Sequence, residues 1–174
     1  MNEALTLEAG PRTDLFRDPQ GAEPQLGATR ELADVPAGDW TLSARVQADL
    51  RATFDAGALI LWADEHRWAK LAFERSPDGE GMVVSVVTRG LSDDCNSTVV
   101  DGDAVWLRIA RVGDAFAFHA SADGERWDFV RHFALDGDPR PGFLAQSPTG
   151  EGLVVTFGEI RVQAARLRDL RSGE

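Results

Sequence analysis

The chain has 174 residues, 43% hydrophobic and 27% charged, which is the size and composition of one domain with a single full core. Its net charge of −11 excludes a general nucleic-acid binder, which needs clustered Lys and Arg, and argues against an anionic membrane surface. A single cysteine, Cys95, excludes an internal disulfide, and with no run of 18 apolar residues and no basic-then-apolar N-terminus the expectation is a cytoplasmic protein.

In chain order, short apolar runs of period two predict strands near 3–8, 40–49, 55–63, 67–75, 82–89, 104–112, 115–121, 127–134, 141–147 and 153–163. Residues 17–38 hold three prolines and no sustained period, which predicts a loop crossing the domain with room for a short edge strand. Pro77 and two glycines make 76–81 a longer turn. The polar run TRGLSDDCNS, 88–97, sits at a strand end and reads as a ligand-binding loop or a solvated turn. Gly113-Asp114 and Asp123-Gly124 predict tight hairpins. The end, QAARLRDLRSG, 163–173, carries the one helical signal. No linker divides the chain, so one domain is expected over 1–166 with a tail at 167–174. Many short strands with gaps too short for crossover helices predict an all-β chain, an antiparallel β-sandwich.

Alternation splits each strand into two faces. In 67–75, Ala69, Leu71 and Phe73 form the core side, opposite Trp68, Lys70, Ala72 and Glu74. In 82–89 both faces are apolar, which predicts a strand covered on both sides. In 104–112, Trp106, Arg108 and Ala110 oppose Leu107 and Ile109; in 115–121, His119 and Ser121 oppose Phe116, Phe118 and Ala120. Lys70 is the only lysine; every other member of the 18 Lys and Arg residues is arginine. A lysine that survives such a bias marks a place where a compact ammonium fits and a planar guanidinium does not.

The histidines, His66, His119 and His132, lack zinc spacing, and the acidic runs near 92–96 and 101–103 lack calcium-loop spacing, so no metal and no cofactor is expected. Phosphate-binding glycine loops and a nucleophile elbow are absent. Glycoside hydrolysis needs two carboxylates facing one cleft. The one-strand E-x-D-x-x-E pattern is missing, which leaves Glu74 with Asp93 or Asp94 as the pair an enzyme would use. Carbohydrate binding needs less, an aromatic face and planar polar groups, and five tryptophans are present.

Four segments together carry a resemblance: TFDAGALILWADEHRWAKLAFER (53–75), SVVTRGLSDDCNS (85–97), VWLRIARVGDAFAFHASADGERW (105–127) and GFLAQSPTGEGLVVTF (142–157). As a set, from about 39 to 162, they resemble the family called domain of unknown function 1349. That family is grouped with the concanavalin A-like lectins and glucanases and includes a fungal protein named for regulation of enolase. The resemblance implies a jelly-roll sandwich with a shallow concave polar face, and carries over no catalytic residue. Its motif positions here include Asp55, Trp68, Lys70, Glu74, Thr88, Ser92, Arg108, Ser121, Asp123, Ser147 and Gly152. Asp94-Cys95-Asn96 stands where many members have an aromatic, which weakens a stacking role there.

The expectation is a non-catalytic binding module for a carbohydrate or other small polyhydroxylated molecule, with no nucleic-acid or membrane partner and self-association left open. Trp68, Lys70, Glu74, Arg89, Asp93, Asp94, Asn96, Arg108 and His119 would line the concave face. A glycoside hydrolase or lyase and a regulatory protein-interaction domain of carbohydrate metabolism are the alternatives.

Overall fold

The computed structural model describes residues 4–174. Its strands are β1 (Leu5–Ala9), β2 (Leu15–Phe16), β3 (Gln25–Leu26), β4 (Thr29–Leu32), β5 (Trp40–Ala48), β6 (Ala56–Asp64) and β7 (Arg67–Arg75), followed by β8 (Gly81–Arg89), β9 (Leu91–Val99), β10 (Ala104–Val112), β11 (Ala115–Ser121), β12 (Asp128–Ala134), β13 (Arg140–Gln146) and β14 (Leu153–Gln163). They build an antiparallel β-sandwich of jelly-roll type. One sheet has the order β1-β14-β5-β10-β11-β12, the other β4-β13-β6-β7-β8-β9, and β2 and β3 form a small third sheet. The expected strand at 3–8 runs over 5–9; residue 3 lies outside the described residues. No helix among the described residues is long and apolar enough to cross a membrane.

The main core lies between the two large sheets. Ala69, Leu71 and Phe73 of β7 enter it with Leu42, Val46, Leu59, Leu107, Ile109, Phe118 and Phe157, all at most 1% exposed. Each such large side chain contributes about 1.5–3 kcal/mol by leaving water. A second apolar cluster sits on the outer face of the β7 sheet. There Ala56, Ala58, Ile60, Trp68, Ala72, Val86 and Leu144 are covered by Leu15 and Ala28. That second layer explains why β8 is buried on both faces from Val83 to Thr88.

Three sequence expectations need correction. The Asp123-Gly124 connection is not a tight hairpin, because residues 122–127 all lie between β11 and β12. Residues 88–97 are not a loop. Gly90, at φ 81°, turns β8 directly into β9, and Arg89 faces Leu91 across the turn. β9 is an edge strand whose residues are exposed on both faces except Ser92, so it shows no apolar alternation. The tail is not helical either. β14 continues to Gln163, and the residues beyond it fold back over the outer face of the β10–β11 region. There, contacts from buried side chains outweigh the local helix propensity.

Candidate functional site

The outer face of the β7 sheet is crossed by a strap, residues 13–17. At one end Thr13 and Ser147 exchange two backbone hydrogen bonds, both 3.1 Å. Ser147 is itself fixed, because its Oγ donates to Asp55 Oδ1 at 2.7 Å. Asp55 Oδ2 in turn accepts from the backbone N–H groups of Arg51 and Ala52. At the other end the Arg17 N–H donates to Ser92 Oγ at 2.9 Å, and the Ser92 N–H returns a bond to the Arg17 carbonyl at 2.8 Å. Ser92 Oγ also lies 2.8 Å from Thr88 Oγ1. The motif residues Asp55, Thr88, Ser92 and Ser147 are therefore the anchors of this strap.

Lys70 holds its middle. The ammonium is 2% exposed and donates to the Leu15 carbonyl at 2.8 Å and to Gln146 Oε1 at 2.7 Å, with Asp14 Oδ1 at 3.8 Å. Gln146 passes the arrangement on, since its Nε2 donates to the Phe54 carbonyl at 3.1 Å. Phe54 is a non-glycine residue at φ 69°, and the residue is 41% exposed. A bulky side chain in that left-handed region is strained, and such strain concentrates at functional sites.

Beside the strap lies a cavity of about 250 Å³ lined by Asp14, Phe16, Phe54, Lys70, Glu74, Val84, Val86, Asp94 and Gln146. Burial pushes the Lys70 pKa down, while the charges of Asp14, Glu74 and Asp94 oppose that shift. Burial pushes half-buried Glu74 up to about 7; Lys70 counteracts this, and Asp14 and Asp94 add to it. A carboxyl raised into this range can donate as well as accept a hydrogen bond near neutral pH, and no hydrogen bond from a described residue reaches the Glu74 carboxyl. Among the described residues no group of three or more His, Cys, Asp or Glu side chains is placed to hold a metal ion.

Of the residues proposed from sequence, Lys70, Glu74 and Asp94 come together in this cavity. Trp68 shares their face but is fully buried beneath the strap, with its ring 5.8 Å from the Lys70 ammonium, so it offers no open face for stacking. Asp93 alternates to the opposite side of β9 and pairs with Arg131 at 2.9 Å. Arg89 is exposed and donates to the Ala134 carbonyl, and Asn96 is exposed on β9. Arg108 and His119 belong to the other sheet and face away from the cavity region, under the tail. Alternation assigns a residue to a face but not to a sheet, which is why the two faces merged in the sequence reading. The cavity residues missed from sequence are Asp14, Phe16, Phe54 and Gln146. Phe54 left one signal, an aromatic directly before Asp55 in a turn.

The opposite face is built on Arg108 and His119, paired across β10 and β11. Arg108 Nη2 donates to the Gly173 carbonyl at 3.0 Å, and the Trp127 ring lies 4.5 Å from its guanidinium carbon. His119 Nε2 donates to the Leu170 carbonyl at 2.7 Å, which makes Nδ1 the unprotonated nitrogen of the neutral ring. Burial lowers the His119 pKa to about 4; the Leu170 bond opposes the shift and Arg108 reinforces it.

A family model described as a protein of unknown function, DUF1349, matches residues 1–165. No curated protein matches. Among solved structures, a functionally unknown protein from Saccharomyces cerevisiae is similar at 26% identity and TM-score 0.79, over 94% of this chain and 89% of that one. A mutant GH43 protein from Bacillus licheniformis is similar at 13% identity and TM-score 0.73; the match takes 93% of this chain but 33% of that one. An alginate lyase from Klebsiella pneumoniae is similar at 14% identity and TM-score 0.56, over 95% of this chain and 82% of that one. The last two likenesses concern the fold: a sandwich of the kind found in carbohydrate-active enzymes.

Proposed function

We propose that this chain, which belongs to the DUF1349 family of proteins of unknown function, is a non-catalytic module that binds a carbohydrate or other small polyhydroxylated molecule in the cavity beside the strap. The observation that carries the reading is the lining itself. An ammonium, three carboxylates and an amide converge with two phenylalanine rings on about 250 Å³. That is slightly below the roughly 300–1,000 Å³ of drug-sized pockets, and suits one small molecule. Carboxylates and an amide accept from and donate to hydroxyls, and the ring of the exposed Phe54 gives a C–H-rich sugar face something to stack on.

Saturation-transfer NMR against a panel of mono- and disaccharides and polyols tests it. At least one compound should give transfer that Phe54→Ala and Glu74→Gln each weaken about tenfold. Silence across the panel, or transfer untouched by both substitutions, sinks the reading.

A glycoside hydrolase or lyase is the second reading, favoured by the Glu74 pKa near 7, which suits a general acid. Its partner would be Asp94, since Asp93 points to the other side of β9. Turnover of an aryl glycoside or a uronate polymer that Glu74→Gln abolishes would establish it in place of pure binding.

A further inference from the structure

The outer face of the β10–β11 region carries a buried cation without an acid. Arg108 is 7% exposed and His119 fully buried. Burial alone brings the Arg108 pKa down to about 10; no carboxylate among the described residues compensates it. One edge of the guanidinium presents Nε and Nη2 as parallel donors. In this same molecule Arg51 and Arg67 each use both donors of that edge on a carboxylate, there on one oxygen, Oδ2 of Asp49 and Oδ2 of Asp64. In Arg108 only Nη2 is used, by the Gly173 carbonyl, and Nε is buried with no partner. His119 Nδ1 beside it is also buried and unpartnered but is an acceptor, so the donor this ring has for a carboxylate is Nε2–H, which the Leu170 carbonyl now holds. A fork shaped for the two oxygens of one carboxylate is thus half-filled by a single neutral carbonyl, although charge-assisted bonds are roughly twice as strong.

We propose that the Arg108 fork, stacked on Trp127 and flanked by His119, is a binding site for a small carboxylate, and that residues 170–173 are its intramolecular stand-in, displaced when the carboxylate binds. This site is independent of the cavity beside Lys70 and stands or falls without it.

Gly173 supplies the lever. It sits at φ +74°, and a Cβ there would run into the Trp127 carbonyl, which is backbone and cannot step aside. Gly173→Ala therefore lifts the tail end without altering Arg108 or His119. The experiment is an NMR titration of wild type, Gly173→Ala and Arg108→Lys with acetate and with D-glucuronate, against chloride and D-glucose at matched ionic strength. Wild type should show saturable shifts of the Gly173 amide and the Arg108 Nε–H with a carboxylate and none with the controls. Gly173→Ala should lower the half-effect concentration at least tenfold. Arg108→Lys keeps the charge, loses the fork and should lose the response; if it does not fold, the other two titrations decide. A response to both carboxylates identifies the bare carboxylate as sufficient; a response to glucuronate alone identifies an acidic sugar. The proposal is overturned if neither carboxylate shifts either protein, if chloride reproduces the shifts, if Gly173→Ala leaves the half-effect concentration unchanged, or if Arg108→Lys responds as wild type does.

Discussion

The two outer faces of the sandwich are closed by the same device with different chemistry. On the β7 sheet a buried lysine grips the Leu15 carbonyl of an N-terminal strap, and on the other sheet a buried arginine grips the Gly173 carbonyl of the C-terminal tail. Lys70 is surrounded by Asp14, Glu74 and Asp94, and a cavity remains beside it. Arg108 has an indole ring and a neutral imidazole beside it, and its covering segment leaves it 7% exposed. The difference teaches what each face can accept. Acids of the protein itself balance the first cation and no carboxylate balances the second, which is why a neutral hydroxylated molecule is proposed for one face and a carboxylate for the other.

The comparison breaks most visibly at Lys70. Lys70→Ala leaves the Leu15 carbonyl and Gln146 Oε1 buried without a donor and removes the counter-charge of the acids, so urea denaturation should show a loss of about 3 kcal/mol. Lys70→Arg forces a planar fork into the ammonium's place and should cost about 1–2 kcal/mol. A neutral Lys70→Arg would mean the lone lysine is only compositional.

The faces should also titrate in opposite directions. The His119 pKa is depressed from 6.5 to about 4, so the stability it contributes is present above 6.5 and is lost as pH falls through about 4. His119→Gln should remove about 2–3 kcal/mol of that acid-side slope in a pH series of thermal melts. The Glu74 pKa is raised from 4.5 to about 7, so its contribution is present below 4.5 and is lost as pH rises through about 7. Glu74→Gln should therefore stabilise the protein at pH 8, by about 2 kcal/mol, and do little at pH 4. Slopes of the same sign would erase the contrast between the faces. The smallest expected effect is at an anchor: Ser92→Ala removes the acceptor for Arg17 N–H and should cost about 1 kcal/mol, with Arg17 amide exchange rising alongside.

Much of this was legible in the residues. Period-two runs located most strands of the two large sheets to within a residue or two, because a half-buried strand must alternate. The oddity of Lys70 was legible as well, since a lone lysine in an arginine-rich chain stands out without any structure. The strap was not. β2 is two residues long, too short for a period to appear, and its hold depends on partners distant in sequence. Hence Trp68, on a face read as polar, is covered. Arg108 and His119 read like Lys70 because only the strand order separates β5-β10-β11 from β6-β7-β8. β9 reads as a loop because exposure on both faces leaves no apolar signal, and the tail reads as a helix because local propensity carries no information about Arg108.

The strap also sets an order of assembly. Its contacts to Lys70 and Ser92 span 55 and 75 residues, and the Gln146 side of the ammonium's grip spans 76 more. Closing such loops is slow and gains nothing until both ends exist. Residues 13–17, which precede these partners in the chain, must wait for β13 and the β8–β9 hairpin before they can be laid down. The cavity is therefore among the last features to form, and a chain halted before β13 would carry an open, apolar outer face in place of the strap and its cavity.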